Sequence, residues 1–464
     1  MSTKKVNLNI DELKSFLHHI IHNNRELQTE DLIPTAVCIE GPAGLGKTSC
    51  ALQLTKELDM NYVRLNLSSI EELGDLIGYP IRQFQLCQST DTITKEVTEV
   101  IKVPQLVKKT FTENKQIQKQ LAGPDGKLSM KMVTVPITVE KEVEEMVEQT
   151  ITKTVTVQGE SNCLWIDEHA VDEYIKRGYD FTGEKRMSHC PPEWVVGLED
   201  KGTILILDDY TRADQRFMQA VMTLIETQTY VSWKLPKDCH IILTTNPSDG
   251  NYLVTEQDIA QTTRYITVNL KFDAEIWAQW AEKTKIDGRA INFLLMHPEL
   301  VTESCNPRAI VTFFNAIRSI KDFMTQLPLI QLIGEGSVGI EFSTMFTTFI
   351  NNKLDKLVKP DDILNHENES YILGVLSSCI GRGADYRADI ASVLTTRFIN
   401  YTVLYSQNNP ITQKHIDRII KLATDPEVLT DDLKYVLVKK ILNGNKQKFQ
   451  KICAHADVIK MVTK

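Results

Sequence analysis

The sequence predicts an α/β fold: a three-layer core with a parallel sheet, a β-rich insertion, a helical lid and an extra helical domain at the C-terminal end. Three observations predict it. Residues 36–50, AVCIEGPAGLGKTSC, read as a short apolar strand, a glycine-rich turn and a helix. Residues 203–209, TILILDD, read as a second buried strand running into paired carboxylates. Beyond Asp273 strand patterns stop and helical periodicity takes over.

Composition bounds the rest. The chain has 464 residues, 42% hydrophobic and 24% charged, which is ordinary for a globular protein with room for two or three domains. A formal charge of −9 argues against a surface built as a whole for nucleic acid, although a local basic face remains open. Apolar runs such as 204–207 and 293–296 fall far short of the ~20 residues of a membrane span, and 1–6 is polar. A soluble, cytoplasmic protein with no membrane partner is the expectation. Nine cysteines, an odd number with no C-x-x-C pair, fit reduced thiols better than a disulfide framework.

Taken in order, Asp11 can cap a helix reaching about His22, with Leu13, Phe16, Leu17, Ile20 and Ile21 on one face. Of His18, His19 and His22 only the first and last share a face, so an amphipathic helix is a better reading than a metal site. In the glycine-rich turn, Gly41, Gly44 and Gly46 let the backbone wrap closely around phosphate oxygens. With Pro42, Ala43, Leu45 and Ser49 they form the candidate phosphate site. Lys47 supplies a point charge for the β- and γ-phosphates, Thr48 offers a hydroxyl to Mg²⁺, and the helix that follows adds its dipole. A strand over 62–67 and a helix over 69–76, broken at Gly78-Tyr79-Pro80, complete a βαβ unit.

Composition then changes. Residues 90–157 are rich in Thr, Val, Lys and Glu and contain a single aromatic, Phe111. Alternation over Val133, Val135, Ile137 and Val139, and a turn at Gly123-Pro-Asp-Gly126, predict long twisted β-hairpins. Residues 91–131 hold 8 Lys against 5 acids and 132–160 hold 2 Lys against 6, so the halves can pair by charge across strands. A disordered linker is the alternative. Residues 165–178 read as helical. Cys163, His169, His189 and Cys190 match no common zinc spacing.

The second motif places Asp208 to hold magnesium, with Thr48, and Asp209 to activate water. A helix over 213–227, a strand over 230–234 and a buried strand over 241–245 follow, the last ending at Asn246, which sits where it can reach a γ-phosphate or otherwise make an ordinary turn. Arg264 precedes another strand over 265–270. Arg308 opens a helix over 307–320, an unfavourable place for a cation unless it has a specific partner. Further apolar periodicity at 346–357, 372–380, 390–399, 415–422 and 433–442 marks a helical region without a ligand motif.

With these stations in place the chain resembles the AAA+ ATPases of the MoxR-type and dynein-related branch. The resemblance rests on the glycine loop, on Leu76-Ile-Gly-Tyr-Pro80, on Pro192-Glu-Trp194, on Leu207-Asp-Asp-Tyr-Thr-Arg-Ala213, and on Asn246-Pro247 and Asn306-Pro-Arg-Ala309. It covers about 30–325. It implies a P-loop core over 36–271 after a lead-in over 1–35, an insertion over 88–162, a lid over 272–325 and a helical domain over 326–464. It makes Asn246 the first sensor, Arg308 the second, and Arg264 a finger reaching a neighbour's γ-phosphate, with Arg212 at the position of the second-motif arginine. A finger supplied in trans implies a homo-oligomer, usually a ring of six, and the insertion would face its pore. Three departures stand out: Asp209 where the family has Glu, Thr263-Arg264-Tyr265 in place of Asp-Arg-Phe, and the long insertion. The wording, including Trp233-Lys-Leu-Pro236, is similar to versions encoded by tailed phages, which would mean a host cytoplasm.

The expected activity is Mg²⁺-dependent ATP hydrolysis by a ring that remodels a protein client. A nucleic-acid motor or loader using Lys102, Lys108, Lys109, Lys115 and Lys119 is the first rival. A slow nucleotide switch, suggested by Asp209, is the second.

Overall fold

The computed structural model describes residues 6–88, 93–122, 128–157, 162–198 and 201–463. In chain order its strands are β1 (Val6–Leu8), β2 (Ala36–Glu40), β3 (Asn61–Asn66), β4 (Pro80–Gln88), β5 (Ile93–Ala122), β6 (Leu128–Val157), β7 (Asn162–Asp167), β8 (Asp180–His189), β9 (Thr203–Asp208), β10 (Thr229–Tyr230), β11 (Trp233–Lys234), β12 (Cys239–Thr245) and β13 (Tyr265–Leu270). The chain divides into two compact units, 80–188 and the remainder.

In the larger unit six strands pair in parallel in the order β1-β13-β2-β12-β9-β3. Strand alternation builds the layers. Val37, Ile39, Ile204 and Ile206 pack with Leu13, Leu17, Ala51 and Leu54 of the helices Ile10–Thr29 and Lys47–Glu57. Their neighbours Ala36, Cys38, Leu205 and Leu207 pack on the opposite face with Phe217, Val221 and Leu224 of the helix Gln215–Thr227. Every residue of β9 is buried, as a strand covered on both faces must be. The N-terminal helix begins earlier than the spacing predicts, because Asn9 rather than Asp11 is its cap, in a capping box with Glu12, and it runs past His22 to Thr29.

Three motifs that lie far apart in sequence meet behind the sheet. Trp194 Nε1 donates to the carbonyl of Leu76 at 3.1 Å and Trp233 Nε1 to that of Ile77 at 2.9 Å. Gly78 has φ +84°, and a Cβ there would lie 1.8 Å from the Cys190 carbonyl, so only glycine lets the outgoing and returning chains run side by side. Residues 230–234 form a tight hairpin of β10 and β11 rather than one strand.

Helices follow Asp273. Trp277, Phe293, Phe313, Phe314, Phe342 and Phe346 share one core that includes the helices Leu327–Ser337 and Ile340–Asn351. A separate core further on runs from Val358 to Val458.

The smaller unit contains a three-stranded sheet, β7-β4-β8, and the pair β5-β6. The expected hairpins are a single one: its two strands pair antiparallel from Ile93↔Val157 to Ala122↔Leu128, and the expected turn at 123–126 lies outside the described residues. Of the helix expected over 165–178, residues 165–167 instead end the strand β7, and only Val171–Lys176 is α-helical. The register sets Cys87 opposite Cys163, and the two form a disulfide, which corrects the expectation of thiols throughout. The other seven cysteines form no disulfide among the described residues.

Candidate active site

The site forms at the C-terminal ends of β2, β9 and β12. β2 lies between β13 and β12, and the Gly41 amide leaving it donates to the Thr245 carbonyl at 3.2 Å. The loop turns through left-handed conformations at Gly44 and Gly46 into the helix that starts at Lys47. Lys47 folds back over the loop and is buried. Its Nζ donates to the carbonyls of Gly41 at 2.6 Å and Pro42 at 3.0 Å, and to Asn246 Oδ1 at 3.2 Å. Burial lowers its pKa to about 8 despite the nearby charges of Asp209 and Asp208, and Arg308 lowers it further.

Thr48 Oγ1 donates to Asp208 Oδ1 at 3.0 Å. Burial pushes the Asp208 carboxyl up, but hydrogen bonds from Thr244, Arg64 and Thr48 outweigh it and hold the pKa below its usual value. Asp209 has left-handed backbone, φ 53°, its amide donates to Thr244 Oγ1 at 3.2 Å, and Arg212 lies 3.9 Å from its carboxylate. The lid reaches the loop at Gly44. A Cβ on Gly44 would fall 2.5 Å from Asn306 Oδ1 and 3.1 Å from Arg308 Cβ. Asn306 Oδ1 caps the helix Pro307–Ala316 by accepting from the amides of Arg308 and Ala309, both at 3.1 Å.

The structure therefore gathers Gly41, Pro42, Gly44, Lys47, Thr48, Asp208, Asp209, Asn246 and Arg308 around one loop. Ala43 donates its amide to the Tyr252 hydroxyl at 3.2 Å, Leu45 packs towards the core, and Ser49 faces outward. Arg264 is engaged elsewhere: its Nε donates to Glu226 Oε2 at 3.0 Å and its Nη1 to the Ala260 carbonyl. Arg64, Thr244 and Tyr252 are site neighbours that the sequence did not single out. Strand register brings Arg64 and Thr244 to the site, and the loop after β12 brings Tyr252.

Residues 37–188 match the family described as ATPase family associated with various cellular activities (AAA). The chain carries an AAA-family ATPase domain. Its sheet and loop have the AAA P-loop fold, and the protein is an ATPase, a P-loop nucleoside triphosphatase. No curated protein matches the ATPase. Among solved structures, a mutant of Thermotoga maritima RuvB aligns at 13% identity and TM-score 0.32, covering 93% of this chain and 97% of that one. A putative ATPase from Cytophaga hutchinsonii aligns at 10% identity and TM-score 0.26, covering 89% and 80%. The T. maritima RuvB Holliday junction branch migration motor aligns at 12% and 0.29, covering 93% and 97%. No helix of the described residues is long and apolar enough to cross a membrane.

Proposed function

We propose that the ATPase works as a Mg²⁺-dependent homo-oligomeric ring, of six subunits, that remodels a protein partner in the MoxR manner. Lys47 and the loop amides hold the β- and γ-phosphates, and Thr48 and Asp208 hold the metal. These two offer hard oxygen donors 3.0 Å apart, the kind of set that suits Mg²⁺. Bound there with nucleotide, the ion would neutralise charge developing between the β- and γ-oxygens. Asp209 takes the proton of the attacking water, Asn246 orients that water or the γ-phosphate, and Arg308 senses the phosphate from the lid. Arg264 serves the next subunit's site. A cytoplasmic location, the host's if the chain is phage-encoded, goes with this reading.

The observation that carries the choice of client is the hairpin. In its register the odd-numbered residues of both strands share a face, and these include Ile101, Val103, Val107, Phe111, Val135, Ile137, Val139, Val143 and Val147. Phe111, Ile117, Ile137 and Val147 are each about 40% exposed. Leu106 and Met146, on the other face, are more than 60% exposed, and a two-stranded ribbon that presents apolar side chains on both faces suits contact with polypeptide. Three of the five lysines that would serve nucleic acid are paired with carboxylates: Lys102 with Glu148 at 3.6 Å, Lys108 with Glu142 at 3.9 Å, and Lys109 with Glu145. Nucleic acid is accordingly the less favoured partner.

The test is ATP turnover with sedimentation, with and without Mg·ATP, for wild type, Lys47→Ala and Arg264→Ala. Turnover lost in both variants, with a nucleotide-dependent ring that Arg264→Ala still forms, is the expected result. A monomer that binds ATP without turnover would defeat the ring reading in favour of the switch. The left-handed backbone at Asp209 is the observation on the switch's side, since it disfavours the longer glutamate there. A large gain in rate on Asp209→Glu would show a site tuned low.

A further inference from the structure

Asp208 is the most heavily engaged carboxylate of the site. Oδ1 accepts from Thr48 Oγ1 at 3.0 Å and from Thr244 Oγ1. Oδ2 accepts from Arg64 Nε at 2.7 Å, with Nη2 of the same guanidinium 2.5 Å away. Lys47 does not share this duty, because its ammonium is bonded to Gly41, Pro42 and Asn246. Among the described residues, Arg64 is the cation bonded to this carboxylate.

The strand register explains how it gets there. β3 and β9 are parallel with Arg64 opposite Ile206, so Arg64 and Asp208 project from the same face two residues apart. Asn66 is directly opposite Asp208, but its Oδ1 accepts from the amide and hydroxyl of Ser68. The two partners differ in freedom. The Asp208 side chain is 7% exposed and fixed by two threonines, whereas that of Arg64 is 47% exposed and can leave without unpacking anything.

We propose that Arg64 is a positioning residue that stands in for the divalent cation, holding Asp208 in place while the site is empty and yielding the carboxylate when metal and nucleotide bind. The inference rests on the reading that Thr48 and Asp208 are the metal-holding pair. Its physical basis is the cost of a buried carboxylate without a counter-charge: an ion pair lost on one side must be replaced on the other. A guanidinium on Oδ2 keeps Asp208 oriented, and the same guanidinium competes with a cation for the charge of that one carboxylate.

The experiment measures binding of a non-hydrolysable ATP analogue by calorimetry, in Mg²⁺ and in EDTA, and takes the ratio of the two affinities. The proteins are wild type, Arg64→Gln, Arg64→Lys and Asp208→Asn. Removing the competitor raises the Mg²⁺-to-EDTA ratio in Arg64→Gln by roughly fivefold or more, the size of one partly exposed charge-assisted hydrogen bond. Arg64→Lys, which keeps the charge without the fork, falls between; it carries the test if Arg64→Gln does not fold. A residue that merely shapes the site would weaken both arms equally, so an unchanged ratio in the folded variants, with Asp208→Asn still lowering it, overturns the proposal. A wild-type ratio near one that Asp208→Asn leaves alone overturns the metal-site reading as well.

Discussion

Lys47 carries its charge into a place closed to water, and this fixes a pH dependence. Its folded pKa, about 8, lies below the ordinary 10.5, so between these values the unfolded chain binds more protons than the folded one. The stability contributed by the neutral form is complete above 10.5 and is lost as the pH falls to 8. Nucleotide affinity moves the other way. Phosphate contact restores the proton, so affinity is level up to about pH 8 and then falls by as much as about tenfold per unit. Titration of a fluorescent nucleotide from pH 7 to 9.5 checks this, and Lys47→Arg, which keeps its proton, removes the slope. A second residue-scale prediction concerns the contact between loop and lid. Gly44→Ala meets both a positive φ and Asn306 Oδ1, while Gly250 has the same kind of φ, +92°, with no atom within 4 Å of its would-be Cβ. Gly44→Ala is expected to cost roughly 2–3 kcal/mol and Gly250→Ala about 1–2, the difference being the disturbed helix cap. Thermal denaturation of both variants measures it.

At the scale of elements, the sequence was most legible where strands are buried on both sides. The apolar runs of β2, β9 and β12 announce themselves, and with them the loop and the carboxylates at their ends. Elements held by partners distant in sequence were not legible. β1 is three residues of unremarkable composition made into a strand by pairing with β13. The end of β7, residues 165–167, reads as the start of a helix because Trp165, Ile166 and the acids that follow also suit one, and pairing with β4 decides otherwise. The Cys87–Cys163 disulfide, 76 residues apart in sequence, is a consequence of the same register. So is the engagement of Arg64 with Asp208. This register also makes the hairpin removable. β4 and β7 end at the pair Gln88↔Asn162, so replacing 89–161 with Asn-Gly closes an ordinary two-residue turn. The shortened protein is expected to keep nucleotide affinity within about twofold, since every loop contact described lies outside that stretch, and to lose client-stimulated turnover. Nucleotide binding lost along with the hairpin would mean that the insertion is structural.

At the scale of the whole molecule, the question is whose phosphate Arg264 meets. Within its own chain the guanidinium is held by Glu226 and the Ala260 carbonyl, and none of Lys47, Asp208 or Asn246 is among its partners. An arginine that its own site does not engage is available to a neighbouring subunit, and a head-to-tail ring repeats that contact at every interface. Mixing separates this from action in cis. Lys47→Ala subunits lack a working loop but carry a sound Arg264, and Arg264→Ala subunits have the converse. Each alone is expected to be inactive. In rings assembled from equal amounts, a random quarter of the interfaces join a sound loop to a sound arginine, so turnover should recover to roughly a quarter of wild type if interfaces act independently. Recovery near that level shows that the arginine acts across the interface. If the mixture is as inactive as its parts while sedimentation shows mixed rings, Arg264 serves its own site, and the bond to Glu226 is one that nucleotide must break within the subunit.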